Sequence, residues 1–321
     1  MAVYTEISIE EVKKWLSQHF ELGEVCLFKG IQGGIENSNF FLDIQENEQI
    51  NHYVLTIFER LNKAQLPYYL EMMSYLAKNH IPVPMPISNR HGEILQEING
   101  KPAAIVSKLV GSSDLSPNQS QCAQVAHMLA TLHLVGAAYH LHQENLRSLA
   151  WWQTTSIEIQ PFLDAEKQIL LHNEVIKQTE FFSSTTYHNL PAGLCHCDLF
   201  RDNVLFTQDG ALSGFFDFYF AGQDKWLFDV AVTVNDWCID LSTGVFVQAK
   251  LDSFLDAYTA VRPFTDAEKI AWPMMLRAAA LRFWISRLWD FYIPRAASLL
   301  TPHDPSHFER ILRERVSANA N

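Results

Sequence analysis

With 321 residues, 48% of them apolar and 19% charged, the chain can bury a large core in one or two domains and has the make-up of an ordinary folded protein. A formal net charge of −12, with Lys and Arg scattered and never in a run, weighs against a nucleic-acid partner, which a basic patch would accompany. The five cysteines form no regular framework, no basic-then-apolar leader opens the chain and no apolar stretch of about 18 residues occurs, so a cytoplasmic protein with free thiols and no membrane partner is expected.

In chain order, Ser8-Ile9-Glu10-Glu11 is a capping box that opens a helix running to about Phe20, with Val12, Trp15, Leu16 and Phe20 on one face. Short β-like pieces follow at 25–28, 39–44 and 53–58, then a helix over 67–79 carrying Leu70, Met73, Leu76 and Ala77. The proline-rich stretch 81–87 must be extended. Strands are predicted at 93–96 and 103–109. From Gly111 onward the texture is helical: 121–135, then segments near 160–172, 229–240, 249–260 and 265–291, the last containing Pro273 as a candidate kink. The fold class expected is α+β: a two-lobed, protein-kinase-like fold. It comprises a β-rich N-terminal lobe over 1–106, a hinge over 107–112 and a mainly helical lobe over 113–321.

The chemistry concentrates in His196-Cys197-Asp198-Leu199-Phe200-Arg201-Asp202-Asn203 and, downstream, Asp217-Phe218. Phosphoryl transfer from ATP requires a carboxylate beside the attacking hydroxyl, and an amide plus a second carboxylate for Mg²⁺. The spacing lets one loop present Asp198 as the base and Asn203 as a metal ligand, while the next hairpin delivers Asp217 to the same ion. His196 is an orienting or packing residue rather than a proton carrier, and Asp202 is a turn former or a partner to the metal site. Cys195 and Cys197 lack the spacing and the second ligand pair of a zinc site and are assigned to packing.

Gly33-Gly34, followed by Asn37, Ser38 and Asn39, suggests a turn between strands that covers the ATP phosphates, although a double glycine also marks ordinary hairpins. The strand at 53–58 carries Thr56 where a phosphate-binding lysine is expected. Arg60 or Lys63 could replace it, with Glu71 on the following helix as partner or simply solvent-facing. Only twelve positions separate Asp217 from Asp229 and no A-P-E-like signature follows, so a protein-docking platform is poorly supported. Asp229 is expected to cap its helix, and Asp236, on the same helix face, to bind a substrate cation. Arg282 and Arg287 lie about 140° apart around the last long helix. Arg282 is the candidate for a substrate carboxylate, with an internal salt bridge as the alternative.

These residues together resemble the aminoglycoside phosphotransferase and choline kinase superfamily, and within it the chain is most similar to the bacterial homoserine kinases of that type. The resemblance runs through GGIENSNFFL at 33–42, YVLTIFE at 53–59, LPYYLEMMSYLAKNHIPVP at 66–84, CHCDLFRDNVLF at 195–206, FFDFYFA at 215–221, FDVAVTVNDWC at 228–238 and LRFWISRLWDFY at 281–292. It implies a two-lobed kinase fold using ATP and Mg²⁺, with Asp198 as base and Asn203 and Asp217 on the metal. It also implies phosphate contacts from Gly33, Gly34, Asn37, Ser38 and Asn39. A hinge from Ser107 through Leu109 to Gly111 would read adenine by its backbone. Thr56 departs from the lysine of the aminoglycoside enzymes.

The function expected is ATP-dependent phosphorylation of a small-molecule hydroxyl, that of L-homoserine, an amino-acid alcohol whose two charges call for Asp236 and Arg282. The same superfamily also offers choline, ethanolamine, methylthioribose and aminoglycosides as acceptors. A quaternary ammonium would need an aromatic cage, for which Tyr219, Trp237 and Trp284 are available. A nucleotide-binding regulator without turnover is the reading from another class, and a protein kinase of the superfamily is a third.

Overall fold

The computed structural model describes residues 5–31, 37–293 and 303–318, which divide into two compact units, one within 1–110 and one from Gly111 onward.

The first unit opens with helix α1 (Ile9–His19), started by the predicted capping box: Ser8 Oγ accepts from the Glu11 amide at 3.2 Å, and the Glu11 carboxylate accepts from the Ser8 amide at 2.8 Å. Ser8→Ala is expected to cost about 1 kcal/mol of stability, measurable by urea denaturation. Strands β1 (Glu24–Gly30), β2 (Asn37–Glu46), β3 (Gln49–Phe58), β4 (Gln96–Ile98) and β5 (Lys101–Ser107) form one antiparallel sheet in the order β1-β2-β3-β5-β4. Helix α2 (Leu66–Lys78) follows β3. One sheet face carries Phe40, Leu42, Ile44, Leu55, Ile57, Ala103 and Ile105, which pack on Val12, Trp15, Leu16 and Phe20. The strand predicted at 93–96 starts later. Asn89 Oδ1 accepts from the amides of His91 (2.8 Å) and Glu93 (2.9 Å) and holds that stretch in a turn.

The second unit is mainly helical. Gly111 has φ +103°, and a Cβ there would lie 2.1 Å from the Phe206 carbonyl oxygen, so only glycine suits the position. The next residue, Ser112, exchanges two backbone hydrogen bonds of 3.0 Å with Phe206. Helix α3 (Gln119–Gly136) is capped by Asn118. An unpredicted helix, α4 (Leu149–Ile159), precedes the one predicted near 160–172, which is α5 (Ala165–Phe182). Pro161 sits in the 3₁₀ turn between them, and Asp164 caps α5 by accepting from the Lys167 amide at 2.9 Å. A short α6 (Thr185–His188) leads to β6 (Ala192–Cys195). Strands β7 (Val204–Phe206) and β8 (Leu212–Phe215) form a hairpin, and β9 (Gly222–Lys225) pairs with β6.

Helices α7 (Trp226–Trp237), α8 (Gln248–Val261), α9 (Asp266–Tyr292) and α10 (Ser306–Ala318) complete this unit. Helix α9 continues through Pro273, eight residues from its N-cap Thr265, while α10 gave no sequence signal strong enough to be predicted. Buried ion pairs tie the helices: Arg277 on α9 donates from Nε, at 2.9 Å, and from Nη2 to the two carboxylate oxygens of Glu174 on α5. Among the described residues no helix is long and apolar enough to cross a membrane.

Candidate active site

The β7–β8 hairpin assembles the predicted triad. Val204 pairs with Phe215, so Asn203 and Phe216 meet at its open end, where the Phe216 amide donates to the Asn203 carbonyl at 3.0 Å. Asp217 therefore emerges beside the loop that carries Asp198. The Asn203 side-chain amide donates to the Asp198 carbonyl at 2.8 Å and to its carboxylate at 3.3 Å, which leaves the Asn203 oxygen available to a cation. His196 is fully buried and its Nε2 meets the Phe216 carbonyl at 2.9 Å, which fastens loop to hairpin.

Both ends of this constellation are strained. Cys197 and Asp217 each have φ +62°, a left-handed conformation that costs a non-glycine residue about 1–2 kcal/mol. On the Cys197 side the restraint is Asp229, which does not cap its helix as expected. Residue Lys225 takes the N-cap position, and the fully buried Asp229 accepts from the amides of His196 at 2.7 Å and Cys197 at 2.8 Å. Its third donor is His133 Nε2 at 3.1 Å. Behind it a chain continues: His133 Nδ1 meets the Tyr258 hydroxyl at 2.6 Å, that hydroxyl accepts from Arg262 Nε at 2.9 Å, and Arg262 is clamped by Glu268.

Burial raises the Asp229 carboxyl, but the His133 bond and charge and the His196 amide outweigh it, and the group lies below the usual carboxylate range. Burial pushes His133 below its ordinary value against the pull of Asp229, and its Nε2 faces the Asp229 carboxylate. The sequence offered no pattern linking residues 133, 229, 258 and 262. Although His133, Cys195 and Asp229 cluster closely enough to suggest a metal, the Asp229 oxygens are already filled by N–H donors.

Asp198 retains 16% side-chain exposure, so a substrate can reach it. Burial pushes its carboxyl up to about 8; Arg282 opposes this, while Asp217 and Asp202 add to it. Arg282 is buried, its Nη1 lies 3.8 Å from Asp198 Oδ1, and its guanidinium stacks on Phe283 at 3.7 Å. It thus faces the candidate base rather than an open acceptor pocket. A cavity of about 340 Å³ opens beside the same loop, lined by Phe200, Arg201, Asp202, Asp236 and Arg287 together with residues before and after them.

The expectation for Asp236 needs correcting. Its carboxylate is taken by Arg201, which donates from its backbone amide, Nε and Nη2, each at 2.9 Å. The charge reserved for a substrate cation is therefore already neutralised. Tyr219, in the 3₁₀ turn after Asp217, is half-buried and does not line the cavity. The cage candidates Trp237 and Trp284 are 1% and 0% exposed, buried in the core.

In the first unit, Gly33 and Gly34 lie outside the described residues. Strand alternation separates the rest of that segment. Ser38 shares the face of Phe40 and Leu42; its hydroxyl accepts from the Thr5 amide at 3.0 Å and donates to Glu59 at 2.6 Å. That buried hydroxyl is part of a structural cluster with Lys101 and is not placed to meet a phosphate, contrary to expectation. Asn37 and Asn39 take the opposite face, where Thr56 Oγ1 donates to Asn39 Oδ1 at 2.8 Å.

Of the substitute cations from the sequence, Lys63 is exposed and bridges to Glu97 and Arg60 lies half-buried past the end of β3, while Glu71 is exposed. The Ser107 amide donates to the Met85 carbonyl at 2.8 Å, so it is not open to adenine; the Leu109 amide meets no backbone acceptor among the described residues.

The chain is similar to known proteins along its whole length. The sequence profile of the phosphotransferase enzyme family matches residues 28–306. The homoserine kinase of Cupriavidus necator is 58% identical over 99% of this chain and 97% of its own, and that of Ralstonia pickettii is 58% identical over 100% and 97%. Among solved structures, an amicoumacin kinase in complex with AMP-PNP and Ca²⁺ superposes with a TM-score of 0.71 at 15% identity, covering 97% of this chain and 94% of that one. Choline kinase from Cryptosporidium parvum gives 0.67 at 14% identity, covering 98% and 96%. The α+β, protein-kinase-like fold is as expected. With a matching profile across most of its length and relatives this similar over all of it, the chain belongs to the phosphotransferase enzyme family.

Proposed function

We propose that the chain transfers the γ-phosphoryl group of ATP to the side-chain hydroxyl of L-homoserine, giving O-phospho-L-homoserine, the step that feeds threonine synthesis. The observation that carries this reading is the 58% identity to homoserine kinases from one end of the chain to the other. Asp198 accepts the hydroxyl proton as the new oxygen–phosphorus bond forms and the bond to the bridging oxygen of ADP breaks. Its raised affinity for protons suits a base. Asn203 and Asp217 supply hard oxygen donors that fit Mg²⁺, which when bound would neutralise phosphate charge. Arg282 sets the charge and orientation of Asp198. Asn37 and Asn39 are assigned to the phosphates and the Leu109 backbone to adenine.

Burial of Trp237 and Trp284 removes the aromatic cage that choline would need. The test is coupled ADP release with Mg-ATP, comparing L-homoserine, choline, methylthioribose and an aminoglycoside. Turnover confined to homoserine is expected. Turnover on another acceptor with none on homoserine would retain the kinase assignment and reject the substrate.

A further inference from the structure

Homoserine has only two methylene groups between its reacting hydroxyl and the carbon that bears its ammonium and carboxylate. Whatever holds those charges must therefore lie close to Asp198. The cavity beside residues 200–202 is the candidate, and its charged lining can be sorted by commitment. Arg201 and Asp236 satisfy each other. Asp304 accepts from the amide and hydroxyl of Ser306, at 2.9 and 2.6 Å. His303 and His307 are pushed below their ordinary values by burial and then by Arg287, so they stay neutral near pH 7. Asp202 and Arg287 remain. The Asp202 side chain makes no hydrogen bond or ion pair among the described residues and is exposed to the cavity. Arg287 forms no ion pair among them either, and its Nε is buried without a partner. A volume of about 340 Å³ falls at the small end of the range of small-molecule sites, roughly 300–1,000 Å³.

We propose that this cavity is the acceptor subsite, where Arg287 binds the carboxylate of the amino-acid alcohol and Asp202 its ammonium. The assignment rests on the homoserine reading above and moves both charge contacts from the sequence candidates, Arg282 and Asp236, to residues with unspent charge. It selects α-amino acids with a terminal hydroxyl against the same alcohol lacking either ionised group. A guanidinium left unpaired in a partly buried wall penalises an acceptor without a carboxylate.

The test uses three acceptors with the full chain: L-homoserine, 3-aminopropan-1-ol, which lacks the carboxylate, and 4-hydroxybutanoate, which lacks the ammonium. Arg287→Met is expected to raise KM for homoserine and 4-hydroxybutanoate by about 10–100-fold and to change that for 3-aminopropan-1-ol by less than about twofold. Asp202→Asn should show the converse, sparing only 4-hydroxybutanoate. Arg287→Lys keeps the charge and should recover part of the loss, which separates recognition from a folding defect. Equal losses on all three acceptors, or no change on any, would overturn the subsite while leaving the homoserine reading in place. A wild-type protein that neither binds nor phosphorylates homoserine would overturn that reading and the subsite with it.

Discussion

Asp198→Asn is expected to lower kcat on homoserine by about 10²–10⁴-fold, the usual contribution of a positioned general base, while leaving the protein folded. The asparagine keeps the volume of the side chain, and its amide oxygen can still face Arg282. The neighbouring Asn203 amide loses little, because its shorter bond runs to the Asp198 backbone carbonyl at 2.8 Å and the carboxylate contact is 3.3 Å. The acceptor KM should change far less than kcat, since the charge-bearing end of the substrate is held elsewhere. Steady-state kinetics beside a thermal melt decide it. A variant that melts normally and turns over within about tenfold of wild type would remove Asp198 from the chemistry.

Asp229→Ala is expected to destabilise the protein by several kcal/mol, on the order of 4, because three donors lose their acceptor in a fully buried place at about 1–3 kcal/mol each, not fully additive. Asparagine is no rescue. One carboxylate oxygen accepts from His196 and His133 and the other from Cys197, so either orientation of the amide sets an N–H against an N–H. Activity should fall beyond the loss of folded protein, since the strained Cys197 is pinned through its amide and Asp198 follows it in the chain.

The Asp229 carboxyl sits below its unfolded value. Its ionised form therefore stabilises the fold above an unfolded pKa of about 3.9, and this contribution fades as pH falls from there through the folded value. The stability gap between wild type and Asp229→Ala should accordingly narrow in urea titrations run below about pH 4. A gap independent of pH would show that the contribution is one of packing alone.

The sequence was most legible where function is local. Asp198 and Asn203 share one loop, and Asp217 follows on the next hairpin, so spacing along the chain carries their geometry. The first capping box was legible for the same reason, since Ser8 and Glu11 are one turn apart, whereas the alternation of Phe40, Leu42 and Ile44, which sets Ser38 on the core face, runs against the assignment of Ser38 to the phosphates. Pro161 and Asp164 end α4 and cap α5, local signals that the single helix expected near 160–172 ran across.

Other assignments depended on which partner a charge finds across the fold. Asp229 had a plausible local role as a helix cap and instead holds the amides of a loop more than thirty residues away. Asp236 looked available until Arg201 closed on it, and Arg282 looked like a carboxylate ligand until packing set it against Asp198. The chain itself therefore determined the reaction type, because the groups that act on phosphate are ordered by short covalent connections. Only the tertiary structure decided which charges remain for the acceptor, because a buried charge is committed by the nearest opposite charge in space, and sequence distance says nothing about that.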